Sequence, residues 1–451
     1  MKTAVVLFCD DFRLKDSPAL YFATQNYENI LPVFIYSENY LGRKLGGAAK
    51  VFLHHVLKSF DELLHKKHGV KLIIKQGDVI ELLKEIYQNH KFDAVYFSKS
   101  YTETQIAKEE KIANTFENLD VKSFKSKTIF DPTEISPASS SSNGDGYYKV
   151  FTPFSKECLK NLHLVGETLG EPEKIVSKHK IESLGVDDLN LLPKGEHKNG
   201  VSWHENLIEN WSFNYEEIEG NFSNFLSNKM KHYKDDRNAP STNCHTKLSP
   251  YLRFGMIGAR VCFNAGLFHS GGVPNQFILE LLWREFAYSV MFYNQTIAQR
   301  ELKEKYSYFQ WENDMELLKK WHEGRTGYDF VDAGMHELYK TGFMHGRTRM
   351  VVASFLTKDL IIGWRLGEEW FWDCLVDADP AVNPFSWQWV FGSGFDAAPY
   401  FRIFSPYSQK ERFDPNGTYC KKWLPSNWKA DKVVEHDFQR KITLERYALL
   451  G

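Results

Sequence analysis

The sequence predicts two domains of different build: an α/β domain with a Rossmann-like parallel sheet, joined by a long connector to an all-helical domain. Three observations carry this. Residues 1–128 alternate short apolar runs with stretches of three- and four-residue apolar spacing, the rhythm of strand, helix, strand. Residues 129–200 turn to Pro, Ser, Gly and charge, including the run Ser139-Ser140-Ser141-Ser142-Asn143-Gly144-Asp145-Gly146, which reads as a connector with a flexible tip. Residues 201–451 are dominated by helical periodicity, without internal repeats. A chain of 451 residues is too long for one ordinary core, so a two-domain division fits its length.

The strands are predicted at 4–8, 30–36, 70–75, 94–98 and 121–124, with amphipathic helices such as 51–65 and 79–88 between them. Strands buried on both faces read as such unbroken apolar runs. No G-x-G-x-x-G follows the first strand, so the usual dinucleotide fingerprint is missing and this sheet alone does not argue for a cofactor. In the second domain, 277–293, 329–340 and 349–362 read as long amphipathic helices.

A net charge of −2 excludes a uniformly basic nucleic-acid protein but not a local basic rim. Aromatics make up 15% of the chain, enough for large stacking surfaces. Six cysteines lie scattered with no metal-ligand spacing and read as free thiols in a reducing compartment. The N-terminal apolar run breaks at Cys9-Asp10-Asp11, too early for a signal peptide or a membrane span. The expectation is a soluble cytoplasmic protein, a monomer with no membrane partner.

The densest chemistry lies in 383–406, where Asn383-Pro384-Phe385-Ser386-Trp387-Gln388-Trp389 runs into Asp396-Ala397-Ala398-Pro399-Tyr400-Phe401-Arg402-Ile403-Phe404. Indoles stack on planar rings and can lose an electron, and Arg answers phosphate with a fixed fork of donors. Ser249, in Thr246-Lys247-Leu248-Ser249-Pro250, looks like a helix start, whose free N–H groups favour a pyrophosphate. Glu280, Trp283 and Arg284 fall within one helical turn and address one cavity. His345-Gly346-Arg347-Thr348-Arg349-Met350 and Asp377-Ala378-Asp379 add further cations and carboxylates.

Taken together, these motifs closely resemble the photolyase/cryptochrome flavoprotein family over nearly the whole chain, and most of all a class I cyclobutane pyrimidine dimer DNA photolyase. The resemblance makes the helical domain an FAD-binding one, with the cofactor reduced in the active form. It implies that Tyr233, His245, Thr246, Lys247, Leu248 and Ser249 hold the diphosphate and ribityl part of FAD. Arg284 contacts the cofactor, Arg349 and Asp377 form a buried pair beside the flavin ring, Asp379 accepts from that ring, and Asn383 sits near N5. Trp387, Trp364 and Trp311 match a tryptophan triad that carries electrons from the surface. The partner is DNA containing pyrimidine dimers: Glu280 is a polar handle, Trp283 and Trp389 an aromatic wall, and Arg237, Arg347 and Arg402 a phosphate-binding rim. Met350 stands where (6-4) enzymes place a catalytic His, which points to cyclobutane dimers. Light would excite the reduced flavin, an electron would pass to the dimer, the dimer would open and the electron return.

The sequence departs from the family pattern in four places. His245 and Lys247 stand where Thr and Arg are common, and Gly346 where Asn is usual. Thr104 and Gln105 replace an Asn-Glu pair of folate-binding members, which leaves deazaflavin, another flavin or no second antenna chromophore open. The run Phe8-Cys9-Asp10-Asp11-Phe12-Arg13 also differs from the usual one. A cryptochrome-type blue-light receptor and a DASH-type single-strand photolyase are the alternatives; Asn383 and the short tail after Pro425 speak against the first.

Overall fold

The computed structural model describes residues 1–39, 41–137, 146–193, 203–242, 244–397 and 401–451. The expected flexible tip at 139–145 and the Ala398-Pro399-Tyr400 portion of the aromatic run lie outside the described residues. Five strands, β1 (Thr3–Phe8), β2 (Asn29–Tyr36), β3 (Ile73–Gln76), β4 (Ala94–Ser98) and β5 (Asp120–Phe124), form one parallel sheet in the order β3-β2-β1-β4-β5. Side chains alternate between its faces. Val5, Leu7, Val33, Ile35, Val95 and Phe97 pack with Leu83, Ile86, Ile112 and Phe116 of the Val79–His90 helix and the segment beginning with the Glu103–Thr115 helix. Ala4, Val6, Phe8, Phe34 and Tyr96 face the other way, into a cluster continuous with the helical domain.

The two domains meet closely where β1 ends. Phe12 N–H donates to the Phe254 carbonyl at 3.3 Å, and Arg13 Nη1 to that of Gly255 at 3.1 Å. Gly255 has φ +67°, and a Cβ there would lie 2.2 Å from the Asp10 carbonyl oxygen, so both conformation and approach demand glycine. The connector is more ordered than its composition suggests: it contains a ten-residue helix, Phe151–Lys160, and returns to the sheet through the Ile30 N–H to Val176 carbonyl bond.

The helical domain corrects one boundary. The helix expected over 349–362 is an α-helix over Gly346–Ser354 that passes into a π-helical turn, Phe355–Asp359. All six cysteines are unpaired. Among the described residues, no helix is long and apolar enough to cross a membrane.

Candidate active site

Three polar segments converge on the proposed cradle. The helix starting at Ser249 is a single turn, Ser249–Arg253, so its dipole is small, and Ser249 Oγ donates instead to Asp377 Oδ2 at 2.6 Å. Arg349 Nη2 reaches both oxygens of Asp377, at 3.0 and 2.8 Å, and Arg349 Nε holds the Met344 carbonyl at 2.7 Å. Asp377 is buried, whereas Arg349 is half-buried and not the fully buried partner expected; a buried carboxylate persists only when its bonds are made, and Ser249 supplies one of them. Lys247 has φ +49°, and its Nζ lies 5.6 Å from the centre of the Trp211 ring. Thr246 Oγ1 accepts from the Leu248 N–H at 3.3 Å, and Leu248 itself is buried. The His245 ring lies 4.5 Å from that of His345; burial, with Lys247 nearby, pushes His245 down to about 4. Tyr233 packs edge-on against Phe225, and its burial raises the phenol's pKa.

Arg284 and Asp379 lie deeper. Arg284 Nη1 pairs with Glu285 at 2.9 Å, while its Nη2 is buried with no hydrogen-bond partner among the described residues. Asp379 accepts the Tyr288 hydroxyl at 2.6 Å and the Ala381 and Val382 N–H groups at 2.9 and 3.1 Å, leaving acceptor capacity to spare. Burial pushes the Asp379 carboxyl up, but Lys127, Arg284 and Arg253 outweigh it and hold it below the ordinary value. Asn383 donates Nδ2 to the Glu368 carbonyl at 3.1 Å and to Glu368 Oε1 at 2.8 Å. With its nitrogen so committed, the group Asn383 has left to offer is an acceptor oxygen.

One turn of the Gln276–Tyr293 helix carries both Arg284 and the expected substrate-facing residues. Glu280 Oε1 receives Arg237 Nη1 at 2.6 Å and Gln276 Nε2 at 2.8 Å, so Arg237 is tied to the handle rather than extended from the rim. Trp283 is half-buried and stacked on Phe151, centroids 3.8 Å apart. Met350 is half-buried, and Trp389 donates Nε1 to the Asp396 carbonyl at 3.1 Å.

The arginines crowd one another. Arg347 reaches Asn238 Oδ1 at 2.6 Å and lies over Phe413; burial, then Arg237, Arg412 and Arg402, pushes it down to about 10. Arg237 is paired with Glu280, and the positive charge gathered around Arg347 suits a polyanion. Arg412 was not singled out in the sequence. Arg412 sits in an ordinary charged helix, Pro406–Phe413, and only folding brings it to Arg347.

Trp364 opens the Trp364–Cys374 helix, and Trp387 and Trp311 each lie near a glycine of its first turn or its N-cap. Gly367 lies against Trp387: an added Cβ would fall 2.2 Å from its Cη2. A Cβ at Gly363 would be 3.9 Å from Trp311 Cδ2. Trp387 and Trp364 are buried and Trp311 is half-buried, with Trp364 Nε1 donating to Glu301 at 3.1 Å. Trp321, also buried, lies 6.3 Å from Trp387 between ring centroids.

Comparison with known proteins matches residues 4–179 to the DNA photolyase family and 277–447 to the FAD-binding domain of DNA photolyase. A deoxyribodipyrimidine photo-lyase of Agrobacterium fabrum is 33% identical over 97% of this chain and 90% of its own. Among solved structures, a bacterial class III photolyase from Agrobacterium tumefaciens is 30% identical, with a TM-score of 0.89, covering 100% of this chain and 98% of the other. An archaeal photolyase from Sulfolobus tokodaii, solved with two FAD molecules, is 27% identical with a TM-score of 0.78, over 99% and 100% of the two chains. The chain belongs to the photolyase/cryptochrome family and carries its FAD-binding domain. One of these full-length structural matches is to a class III enzyme, where the motifs had suggested class I.

Proposed function

We propose that this protein is a deoxyribodipyrimidine photo-lyase that repairs cyclobutane pyrimidine dimers in DNA with blue light, acting as a cytoplasmic monomer. One observation carries the reading. A single turn, Glu280 to Arg284, joins a polar handle and an aromatic wall to an arginine with a buried, unspent donor. That turn can serve a substrate and a cofactor at once.

The residues fit FAD. Among the described residues Arg284 Nη2 is a donor without a partner, Asp379 retains acceptor capacity, and Arg349, Asp377 and Ser249 form a bonded set beside them. In this reading Tyr233, His245, Thr246, Lys247, Leu248 and Ser249 line the diphosphate and ribityl part. When bound and reduced, FAD supplies the electron that opens the dimer and regains it afterwards. Asn383, held by Glu368, offers an acceptor oxygen near N5 and brings no negative charge to a reduced, anionic ring. Trp387, Trp364 and Trp311 pass electrons inward when the cofactor must be reduced.

A flipped dimer would lie against Trp283 and Trp389, with Met350 on the floor and Glu280 as its hydrogen-bonding partner. Arg347 and Arg402 meet phosphate, while Arg237 orients Glu280. A light-harvesting second chromophore fits the family, and in 101–105 the exposed Thr104 and the buried Gln105 stand where folate-binding members have an Asn-Glu pair. Glu103 has its N–H on Gln295, and Gln105 is buried. Illuminating the FAD-loaded protein with single- and double-stranded dimer substrates tests the reading. Repair of both supports it, repair of single strands alone would make this a DASH-type enzyme, and repair of neither would overturn it.

A further inference from the structure

Lys358 lies on the π-helical turn Phe355–Asp359 and is fully buried. Its Nζ donates to the carbonyl of Val390 at 2.7 Å and to that of Arg402, and it stands 4.6 Å from the centre of the Phe401 ring. Val390 lies near the end of the Val382–Phe391 helix that carries Trp387 and Trp389. The chain leaves that helix and comes back at Arg402, so one ammonium holds both ends of the intervening segment.

The anchor itself is fixed. The Lys358 carbonyl accepts the Thr443 hydroxyl at 2.6 Å, and Asp359 pairs with His436, both from the C-terminal His436–Ala448 helix. A second tie beside it, from the Phe404 N–H to Ser354 Oγ at 3.1 Å, fastens the returning strand of chain. A π-turn adds a residue to the helical register and so re-aims a side chain. Burying an amine is costly unless its donors are spent, and an apolar side chain would fill the space without that cost. What the amine provides is its grip on two carbonyls and an aromatic face. Burial pushes its pKa down to about 7, with Asp359 opposing and Arg402 adding to the shift.

We propose that Lys358 is a positioning residue for DNA binding, clasping the two ends of the 390–402 segment so that Trp389 and Arg402 face the same DNA strand. The inference rests on the reading above that these two residues meet DNA. It is tested by measuring binding of a dimer-containing oligonucleotide across a salt series with the FAD-loaded protein and its Lys358→Met, Arg402→Ala and doubly substituted forms. Lys358→Met is expected to weaken binding about tenfold and lower the salt slope by about 1, as Arg402→Ala does, because one phosphate contact is lost. The double variant should then bind no more weakly than either single one. Lys358→Gln, which keeps two donors, should recover part of the loss and serves also if the Met form does not fold. Additive losses, or Lys358 variants that bind like wild type while Arg402→Ala does not, would overturn the clasp. Unchanged binding by Arg402→Ala would instead sink the DNA-rim reading, and the clasp with it.

Discussion

Trp283 lies flat on Phe151, their planes 8° from parallel, although the two come from the helical domain and the connector. One indole face is thus covered by the protein, and the connector helix braces the wall that a flipped base would meet. Trp283→Ala should weaken binding of dimer-containing DNA by about 10-fold, since stacking on an aromatic is worth roughly 1–3 kcal/mol per base. Binding of undamaged DNA should change little. Phe151→Ala should give a smaller loss of the same kind. Equal weakening on damaged and undamaged DNA in a filter-binding assay would remove Trp283 from the lesion wall.

The packing of Gly367 on Trp387 makes two substitutions informative. Trp387→Phe should abolish light-driven reduction of oxidised, FAD-loaded protein, because phenylalanine is far harder to oxidise, while chemically reduced variant still repairs. Gly367→Ala drives a methyl group to 2.2 Å from Trp387 Cη2 and 2.5 Å from Leu356 Cδ2. Overpacking of this kind costs about 1–3 kcal/mol of stability, and photoreduction should slow as the indole shifts. Transient absorption reads both, and wild-type reduction kinetics in Trp387→Phe would break the assignment.

At Gly346 the backbone leaves room for the Asn usual in the family. Its φ lies outside the left-handed region, and among the described residues an added Cβ meets nothing within 4 Å. Neither backbone strain nor crowding requires glycine there. Gly346→Asn should therefore fold normally and tighten dimer binding by about 1–3 kcal/mol if its amide satisfies an otherwise unpaired group on the lesion. Titration with a dimer-containing oligonucleotide checks this. Weaker binding with FAD and stability intact would mean that the open space serves a different substrate.

His345 supplies a pH test. Its Nδ1 accepts the Arg347 N–H at 3.2 Å, which requires an unprotonated ring nitrogen, and burial followed by His245 pushes it down to about 3. The unfolded chain takes up this proton first as pH falls below about 6.5, so the stability His345 contributes is complete above that value. It is lost between there and about pH 3. His345→Asn keeps an acceptor for the cap and removes the titration. In urea melts at pH 7.5, 5.5 and 4.5, the variant should gain on wild type by up to about 1.4 kcal/mol per pH unit below 6.5. A constant gap would show that His345 is not held neutral.

Much of this architecture was legible in the residues. The apolar runs that predicted strands at 30–36 and 94–98 match β2 and β4 closely, because a sheet covered on both faces leaves no polar position to blur the pattern. The helix expected at 277–293 is Gln276–Tyr293. The π-turn at Phe355–Asp359 escaped because one added residue barely disturbs an apolar repeat, and its consequence, the reach of Lys358 to Val390 and Arg402, is set by folding. Arg412 was invisible for the same reason. It looks ordinary in its own segment and gains meaning only beside Arg347. Arg237 was placed on the rim by resemblance, and its bond to Glu280 could not be read from a separation of 43 residues.

The proposed activity of this chain is the splitting of pyrimidine dimers with light through a reduced flavin. The most direct test loads the protein with FAD, reduces it chemically and incubates it with an oligonucleotide bearing one cyclobutane thymine dimer, under blue light and in the dark. Intact thymines are expected to return only in the light, with the flavin still reduced at the end. Repair in the dark, or an illuminated sample in which the dimer persists although FAD and DNA are both bound, would contradict it.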